Sequence, residues 1–316
     1  MPLLLDALTH QTVPEFEIIN ADGMSDDGTQ DAVREFAARH PEMDIRIVES
    51  PDRTIPAGLN LAIAESKGDF IIRLDAHSIP DTDYIERCLE ILRATGAANV
   101  GGVWRIQPSG NDWIARSIAA AAANPLAAGD ARYRTGGKAG KVDTVPFGAF
   151  PKGWLEKVGG YDENLLTNED YELNVRLRKL GGVVWFDPRV RSTYLARKDL
   201  SGLARQYFRY GFWKARMLRL HPGTLRWRQA LPPLFVWSTV LLSLLGFYFP
   251  LAWKLLIIQW AAYIAALLVA GFREASRRQR LSLIVGVPLC IANIHLSWGL
   301  GFWWGLLFRR GSRQNG

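Results

Sequence analysis

Cysteine is scarce in this 316-residue chain, which contains only Cys88 and Cys290. The two lie far apart, and neither belongs to a pattern with metal-ligand spacing, so a disulfide framework and a cysteine zinc site are excluded. A reducing compartment fits this composition. We also expect no secretory signal peptide, because the apolar opening Met1-Pro2-Leu3-Leu4-Leu5 is interrupted at Asp6. We therefore expect the N-terminal domain to remain in the cytosol.

Acidic residues are fewer than basic ones, with 31 Asp and Glu against 38 Lys and Arg and a formal charge of +7. The basic residues become denser toward the C-terminal half, where Arg226-Trp227-Arg228 and Arg277-Arg278-Gln279-Arg280 flank long apolar runs. This distribution favours a membrane surface with its lipid headgroups as the partner, rather than nucleic acid. A hydrophobic content of 48% argues against wholesale disorder.

Strand-like and helix-like segments alternate as far as about residue 200, and no internal repeat interrupts them, so the sequence predicts an α/β domain. The expected strands are Phe16–Asn20, Ile45–Val48 and an apolar run from Asp69 that ends at Asp75. The expected helices are 31–36, 57–64 and an alanine-rich stretch at 113–128. A glycine- and lysine-rich segment at 136–141 predicts a mobile loop, which is either a cover for substrate or an ordinary surface connection.

The chain changes character after Trp227, where apolar runs at 231–249, 250–272 and 281–308 reach membrane length. We predict an α/β domain over residues 1–225 and a membrane region of two or three helices over 226–316. The basic loop from Arg273 to Arg280 belongs on the cytosolic side. A single final crossing would leave Arg309, Arg310 and Arg313 outside, so the last run either crosses or bends back near Pro288.

Two acidic segments occur in an order that suggests sugar transfer. Asp75 follows an apolar strand, and Glu169 and Asp170 come later, directly after Asn168. A carboxylate at a strand end is able to bind a metal ion, and a later acid is able to accept the proton of an acceptor hydroxyl. The alternative for the acid pair is a helix start, with Asn168 as its cap.

Four segments together resemble the inverting family 2 glycosyltransferases with a GT-A fold, a Rossmann-like fold. The resemblance is to the ExoA-like, membrane-attached transferases of succinoglycan-type exopolysaccharide biosynthesis in particular. It covers residues 3 to 225, and the apolar tail is similar too. The segments are Asp22-Gly23-Met24-Ser25-Asp26-Asp27-Gly28-Thr29, Asp75-Ala76-His77, Asn168-Glu169-Asp170 and Gln206-Tyr207-Phe208-Arg209-Tyr210.

The resemblance implies a role for each segment. Asp22 would contact the base or ribose of the nucleotide sugar, although an Asx-rich turn explains its segment equally well. Asp75 would bind a divalent metal, Mn²⁺ or Mg²⁺, with His77 in place of the usual final carboxylate.

Asp170 would be the general base, with Glu169 in support. Arg209 would bind the diphosphate, Gln206 would contribute to nucleotide-sugar binding, and the aromatic groups of this segment would pack near the acceptor, with Tyr210 where the family has tryptophan. An amphipathic interfacial helix is the alternative for that last segment.

These roles imply transfer of a hexose, glucose by resemblance, from a UDP-sugar donor to a lipid-linked saccharide acceptor. The expected place is the bacterial inner membrane, with exopolysaccharide assembly proteins as possible partners. A processive polysaccharide synthase is a rival, motivated by Gln206 and Arg209. A noncatalytic membrane scaffold is another, because family members usually have a strand before the segment equivalent to Leu3-Leu4-Leu5-Asp6-Ala7-Leu8, and this chain is expected to lack that first strand.

Overall fold

The computed structural model describes residues 1–308, which form eight strands and thirteen helices. The elements up to residue 107 are α1 (Pro2–Thr9), β1 (Glu17–Asp22), α2 (Thr29–Arg39), β2 (Asp44–Glu49), α3 (Ile55–Glu65), β3 (Phe70–Ile72), β4 (Ser78–Pro80), α4 (Tyr84–Thr95) and β5 (Asn99–Gln107). Those that follow are α5 (Trp113–Ala122), α6 (Pro125–Ala128), α7 (Arg132–Thr135), β6 (Gly140–Lys141), β7 (Ala149–Pro151), α8 (Lys152–Val158), α9 (Glu169–Lys179), β8 (Val184–Leu195), α10 (Leu200–Leu220), α11 (Trp227–Leu245), α12 (Pro250–Arg278) and α13 (Leu283–Leu307). Arg309, Arg310 and Arg313 lie outside the described residues.

The chain forms two compact units. The first consists of Met1–Arg105 and Gly136–Tyr194, and the second of Ile106–Thr135 and the chain from Leu195 onward. The sequence predicts a different boundary, near residue 225, between the catalytic domain and the membrane region. That boundary stays a prediction.

The first unit contains two sheets. Strands β1 and β2 pair in parallel, with Ile19 opposite Arg46. The second sheet has the order β3-β7-β5-β8-β4, with β6 beside β8. Apolar residues of α2 and β2, Val33, Phe36, Ile45 and Ile47, pack together in one of the cores of this unit. The predicted α/β class and the three predicted strands are confirmed, although β3 ends at Ile72 and not at Asp75.

The alanine-rich stretch differs from the prediction of one helix over 113–128. Helix α5 ends at Ala122 and α6 starts at Pro125. Proline has no backbone N–H to donate, so it suits a helix start rather than an interior. Asn124 caps the second helix, since its side-chain oxygen accepts a hydrogen bond from the Leu126 N–H at 2.9 Å. The predicted loop at 136–141 also contains structure, because Gly140 and Lys141 pair with β8.

The second unit is helical, and α10 and α13 pack very closely within it. A Cβ atom placed on Gly301 would lie 2.1 Å from the Phe208 carbonyl oxygen, so only glycine fits there. Small residues at such contacts are typical of helices in membranes. By length and composition α12 and α13 are able to cross a membrane. Two of the expected apolar helices are thereby found. Helix α11 contains most of the apolar run 231–249 but carries Arg228 in its first turn and lies outside this pair, so its membrane crossing stays a prediction.

Candidate active site

A buried arginine joins the carboxylates that the sequence predicted to act together. Arg73 follows β3 and is only 6% exposed. Its Nε and Nη2 each donate to Asp75 Oδ1 at 3.1 Å, and Nη2 also donates to Glu169 Oε1 at 3.1 Å. Its Nη1 donates to Asp170 Oδ1. One guanidinium therefore connects the end of β3 with the start of α9, and it brings Asp75, Glu169 and Asp170 together.

Sequence reasoning missed Arg73, although a signal was present. The residue interrupts an apolar run, Ile71-Ile72-Arg73-Leu74, that was expected to be a buried strand. A charged side chain is seldom buried without a partner of opposite charge. An arginine in such a run therefore predicts nearby carboxylates.

The local sequence explains how α9 presents its acids. The helix begins after Asn168, whose φ of 69° places it in the left-handed region. Glu169 and Asp170 occupy the first turn, where the positive end of the helix dipole favours negative charge. The predicted cap position of Asn168 is confirmed, but its side chain makes no capping hydrogen bond. The left-handed backbone of Asn168 explains the missing hydrogen bond, because residues whose side chains cap a helix usually have a backbone in the β region.

Asp170 occupies a strongly perturbed environment. Withdrawal from water raises the pKa of its carboxyl, and the negative charges of Glu169 and Asp75 raise it further, to about 8. Arg73 and the Phe147 N–H act in the opposite direction. A carboxyl with such a pKa changes protonation near neutral pH, as a general base requires.

A strained turn supports the same carboxylate. Phe147 is buried and has a φ of 61°, an unusual conformation for a bulky side chain, and its N–H donates to Asp170. The next residue, Gly148, has a φ of 106°, and a Cβ there would lie 2.5 Å from the Phe150 ring. Its carbonyl oxygen accepts a hydrogen bond from the Arg73 N–H at 3.0 Å. The turn thus contacts both sides of the Arg73–Asp170 pair.

The expected metal ligands lie at the edge of this cluster. The Asp75 side chain is 31% exposed, and both of its bonds to Arg73 fall on Oδ1, so Oδ2 is the oxygen that another ligand would meet. The exposed His77 lies edge-on to Tyr194, with ring centroids 5.5 Å apart.

Within residues 1–308 no group of three or more His, Cys, Asp or Glu side chains is arranged to hold a metal ion. A site of one or two protein ligands fits Mg²⁺ or Mn²⁺ only if substrate phosphates and water complete it.

Asp22 lies at the end of β1 and is 4% exposed. Its Oδ2 accepts hydrogen bonds from the Ser25 N–H at 2.9 Å and from Gln30 Nε2 at 2.7 Å. Burial alone would raise the pKa of this carboxyl, but these hydrogen bonds lower it, so the group is ionised. Asp22 therefore organises the turn after β1, and its predicted contact with the nucleotide stays a prediction.

Gln206 and Arg209 lie on α10 in the second unit. Gln206 Nε2 donates to the Tyr210 hydroxyl at 3.0 Å, and the rings of Tyr207 and Tyr210 meet edge to face. Arg209 is exposed. Their predicted roles in nucleotide-sugar binding stay predictions.

Known proteins resemble this chain over most of its length. The family model described as glycosyl transferase family 2 matches residues 2–159. Succinoglycan biosynthesis protein ExoA from Rhizobium meliloti (strain 1021) is 32% identical over 321 residues, covering 97% of this chain and 92% of that protein.

A relative from Methanococcus voltae is 25% identical over 300 residues, covering 92% of this chain and 88% of its own. It is named dolichyl N-acetyl-alpha-D-glucosaminyl phosphate 3-beta-D-2,3-diacetamido-2,3-dideoxy-beta-D-glucuronosyltransferase.

Among solved structures, a mannosyltransferase has the same fold. It is mannosyltransferase PcManGT from Pyrobaculum calidifontis, in complex with GDP-Man and Mn²⁺, with a TM-score of 0.55 and 20% identity. The match covers 92% of this chain and 82% of that one. The likeness confirms the GT-A-like α/β fold.

Proposed function

This chain belongs to glycosyl transferase family 2 as an ExoA-like glycosyltransferase of exopolysaccharide or glycan biosynthesis, and from that premise we propose its donor, acceptor and mechanism. The donor is a UDP-hexose, with glucose as the sugar, and the acceptor is a lipid-linked saccharide. The observation that supports this most directly is the cluster of Asp75, Glu169 and Asp170 around Arg73. The Methanococcus relative supports the lipid-linked acceptor, because its name contains a dolichyl-linked sugar phosphate.

The proposed reaction is a direct displacement with inversion at the anomeric carbon. Asp170 accepts the proton of the acceptor hydroxyl while that oxygen forms a bond to the anomeric carbon. The bond from the anomeric carbon to the nucleoside diphosphate breaks, and its electron pair leaves with the diphosphate. Glu169 shares Arg73 with Asp170 and keeps the base oriented toward the acceptor.

Donor binding is assigned to the remaining predicted residues. Asp22 holds the nucleoside, Arg209 binds the diphosphate, and Gln206 contributes to nucleotide-sugar binding. Asp75 and His77 would hold a divalent ion, Mn²⁺ or Mg²⁺. When bound, such an ion offsets the negative charge that develops on the leaving diphosphate. The Pyrobaculum mannosyltransferase, whose complex contains both GDP-Man and Mn²⁺, supports this assignment.

The test is a transfer assay with the purified full-length chain in lipid nanodiscs. Radiolabelled UDP-glucose, UDP-galactose and GDP-mannose are offered with a bacterial lipid extract, in the presence of Mn²⁺, Mg²⁺ or EDTA. We expect one labelled hexose per acceptor from UDP-glucose, and loss of product with EDTA. Absence of lipid-phase product with every donor would contradict the proposal, and long polymers would favour the processive synthase instead.

We further propose that the catalytic domain faces the cytosol and that α11 and α12 form a membrane hairpin. The turn between them exposes Phe247 and Tyr248, which are 78% and 81% exposed in the structure. The segment after α12 is basic, and basic loops stay on the cytosolic side. The hairpin therefore places residues 273–280 in the cytosol and the turn near Phe247 outside.

Cysteine labelling checks this topology. In membrane vesicles treated with a membrane-impermeant maleimide, we expect Gln279→Cys to react only in inside-out vesicles. Phe247→Cys is the matched control and should react only in right-side-out vesicles. The native Cys88 and Cys290 are buried, so the unmodified chain provides the background. Labelling of both positions from the same side would contradict the hairpin.

A further inference from the structure

Three aromatic rings without an assigned role, Trp104, Tyr194 and Phe147, form a cluster with the candidate metal ligand His77 in the first unit. Trp104, near the middle of β5, stacks on Tyr194 of β8 with ring centroids 4.4 Å apart and ring planes 7° from parallel. Phe147 lies 5.4 Å from Trp104, and His77 lies 5.5 Å from Tyr194. We call this set the aromatic platform. His77 is exposed and Trp104 is partly exposed, whereas Tyr194 and Phe147 are buried, so a ligand would meet the platform through Trp104 and His77.

The platform adjoins the candidate base on one side. Phe147 contributes its ring to the platform and its backbone N–H to the Asp170 carboxylate. Its left-handed φ of 61° is unfavourable for a bulky residue. Strain of this kind persists where the surrounding structure requires it, often at ligand sites. The strained residue therefore couples the position of the rings to the position of the base.

The platform also adjoins the candidate metal ligands. His77 follows Asp75 by two residues, and Ser78, opposite Tyr194 in the β4–β8 pair, donates through its N–H and its hydroxyl to the Asp75 carbonyl oxygen. These short connections fix the rings next to Asp75.

On the basis of the proposed function, we propose that the aromatic platform binds the pyranose ring of the acceptor that receives the new sugar. The face of an aromatic ring carries partial negative charge, which attracts the C–H groups on the apolar face of a pyranose. A few polar groups at the edge of such a surface then orient the sugar ring. An acceptor must place its hydroxyl at Asp170, and Phe147 shows that the platform lies beside that carboxylate.

The nucleobase of the donor is the competing occupant, because bases also stack on aromatic rings. Geometry favours the acceptor. Phe147 of the platform donates its backbone N–H to Asp170, the carboxylate that takes the acceptor proton. The predicted nucleoside contact, Asp22, instead lies at the end of β1 in the other sheet.

The experiment compares Trp104→Leu with Trp154→Leu in the full-length chain in nanodiscs. Trp154 is a suitable control because it is another partly exposed tryptophan of the same unit, on α8. Saturation-transfer NMR reads binding of methyl β-D-glucopyranoside and methyl β-D-galactopyranoside, with UDP present. UDP affinity and transfer to the lipid extract are measured in parallel.

We expect at least a fivefold loss of glycoside saturation transfer in Trp104→Leu and no comparable loss in Trp154→Leu. UDP affinity should stay within twofold, and the acceptor KM should rise about tenfold. Absence of glycoside binding in the unmodified chain, or equal losses in both variants, would overturn the platform. A fall in UDP affinity specific to Trp104→Leu would show that the platform binds the nucleobase of the donor, and it would also overturn the proposal. Failure of the unmodified chain to transfer sugar overturns the proposed function, whatever the glycosides show.

Discussion

Replacing Asp170 with asparagine should lower kcat for sugar transfer by about 10²–10⁴-fold, the range that positioned general bases contribute. The amide retains the size of the carboxyl and an oxygen that accepts a hydrogen bond from Arg73, but it cannot take the acceptor proton. The fold should not suffer. Because burial raises the pKa of Asp170, ionisation of this group is unfavourable in the folded chain, and a neutral side chain removes that cost.

The pH dependence of the same pair of proteins gives a second measurement. The base acts only when ionised, and its pKa is raised to about 8, so kcat/KM of the unmodified chain should rise by about tenfold per pH unit below that value and level off above it. The pH profile of Asp170→Asn should lack this rise in kcat/KM. The matched control is Asp31→Asn, an exposed helix carboxylate paired with Arg34, which should retain both rate and profile. Full activity in Asp170→Asn would exclude Asp170 as the base.

Replacing Arg73 with methionine should destabilise the first unit by about 3–5 kcal/mol, because it leaves carboxylates clustered without their buried counter-charge. Thermal unfolding measures this effect. Arg87→Met is the control, since Arg87 forms comparable ion pairs with Asp83 and Glu90 on the protein surface and should matter little.

A double-mutant cycle separates charge compensation from lost packing. In the Asp170→Asn background one of the carboxylates is already neutral, so Arg73→Met should cost clearly less than in the unmodified chain. Equal costs in the two backgrounds would show that the guanidinium acts through packing alone.

Arg73→Lys tests positioning rather than charge. Lysine retains the positive charge but lacks the planar fork with which Arg73 reaches Asp75, Glu169 and Asp170 at once. We expect kcat to fall by about 10²-fold through misplacement of the base, with little change in the donor KM. A change confined to the donor KM would instead assign Arg73 to donor binding.

Local patterns were sufficient for much of the fold. Strands β1, β2 and β3 and the helices between them follow from apolar periodicity and from turn residues, which depend on nearby sequence alone. The exceptions have identifiable causes. Pro125 divides the alanine-rich stretch, and the pairing of Gly140 and Lys141 with β8 depends on residues more than 40 positions away, which periodicity cannot reveal.

The sequence by itself determined the family, the α/β class, the apolar C-terminal helices and the identity of the candidate acids, because each is written in residue types at short spacing. Only the tertiary structure decided what those acids contact. Arg73 lies 97 positions from Asp170, and Phe147 and Trp104 meet through different strands and loops. Attraction between opposite charges holds Arg73 against these carboxylates, while burial and the neighbouring carboxylates raise the pKa of Asp170. These contacts arise when the chain folds back on itself, so no segment of the sequence contains them.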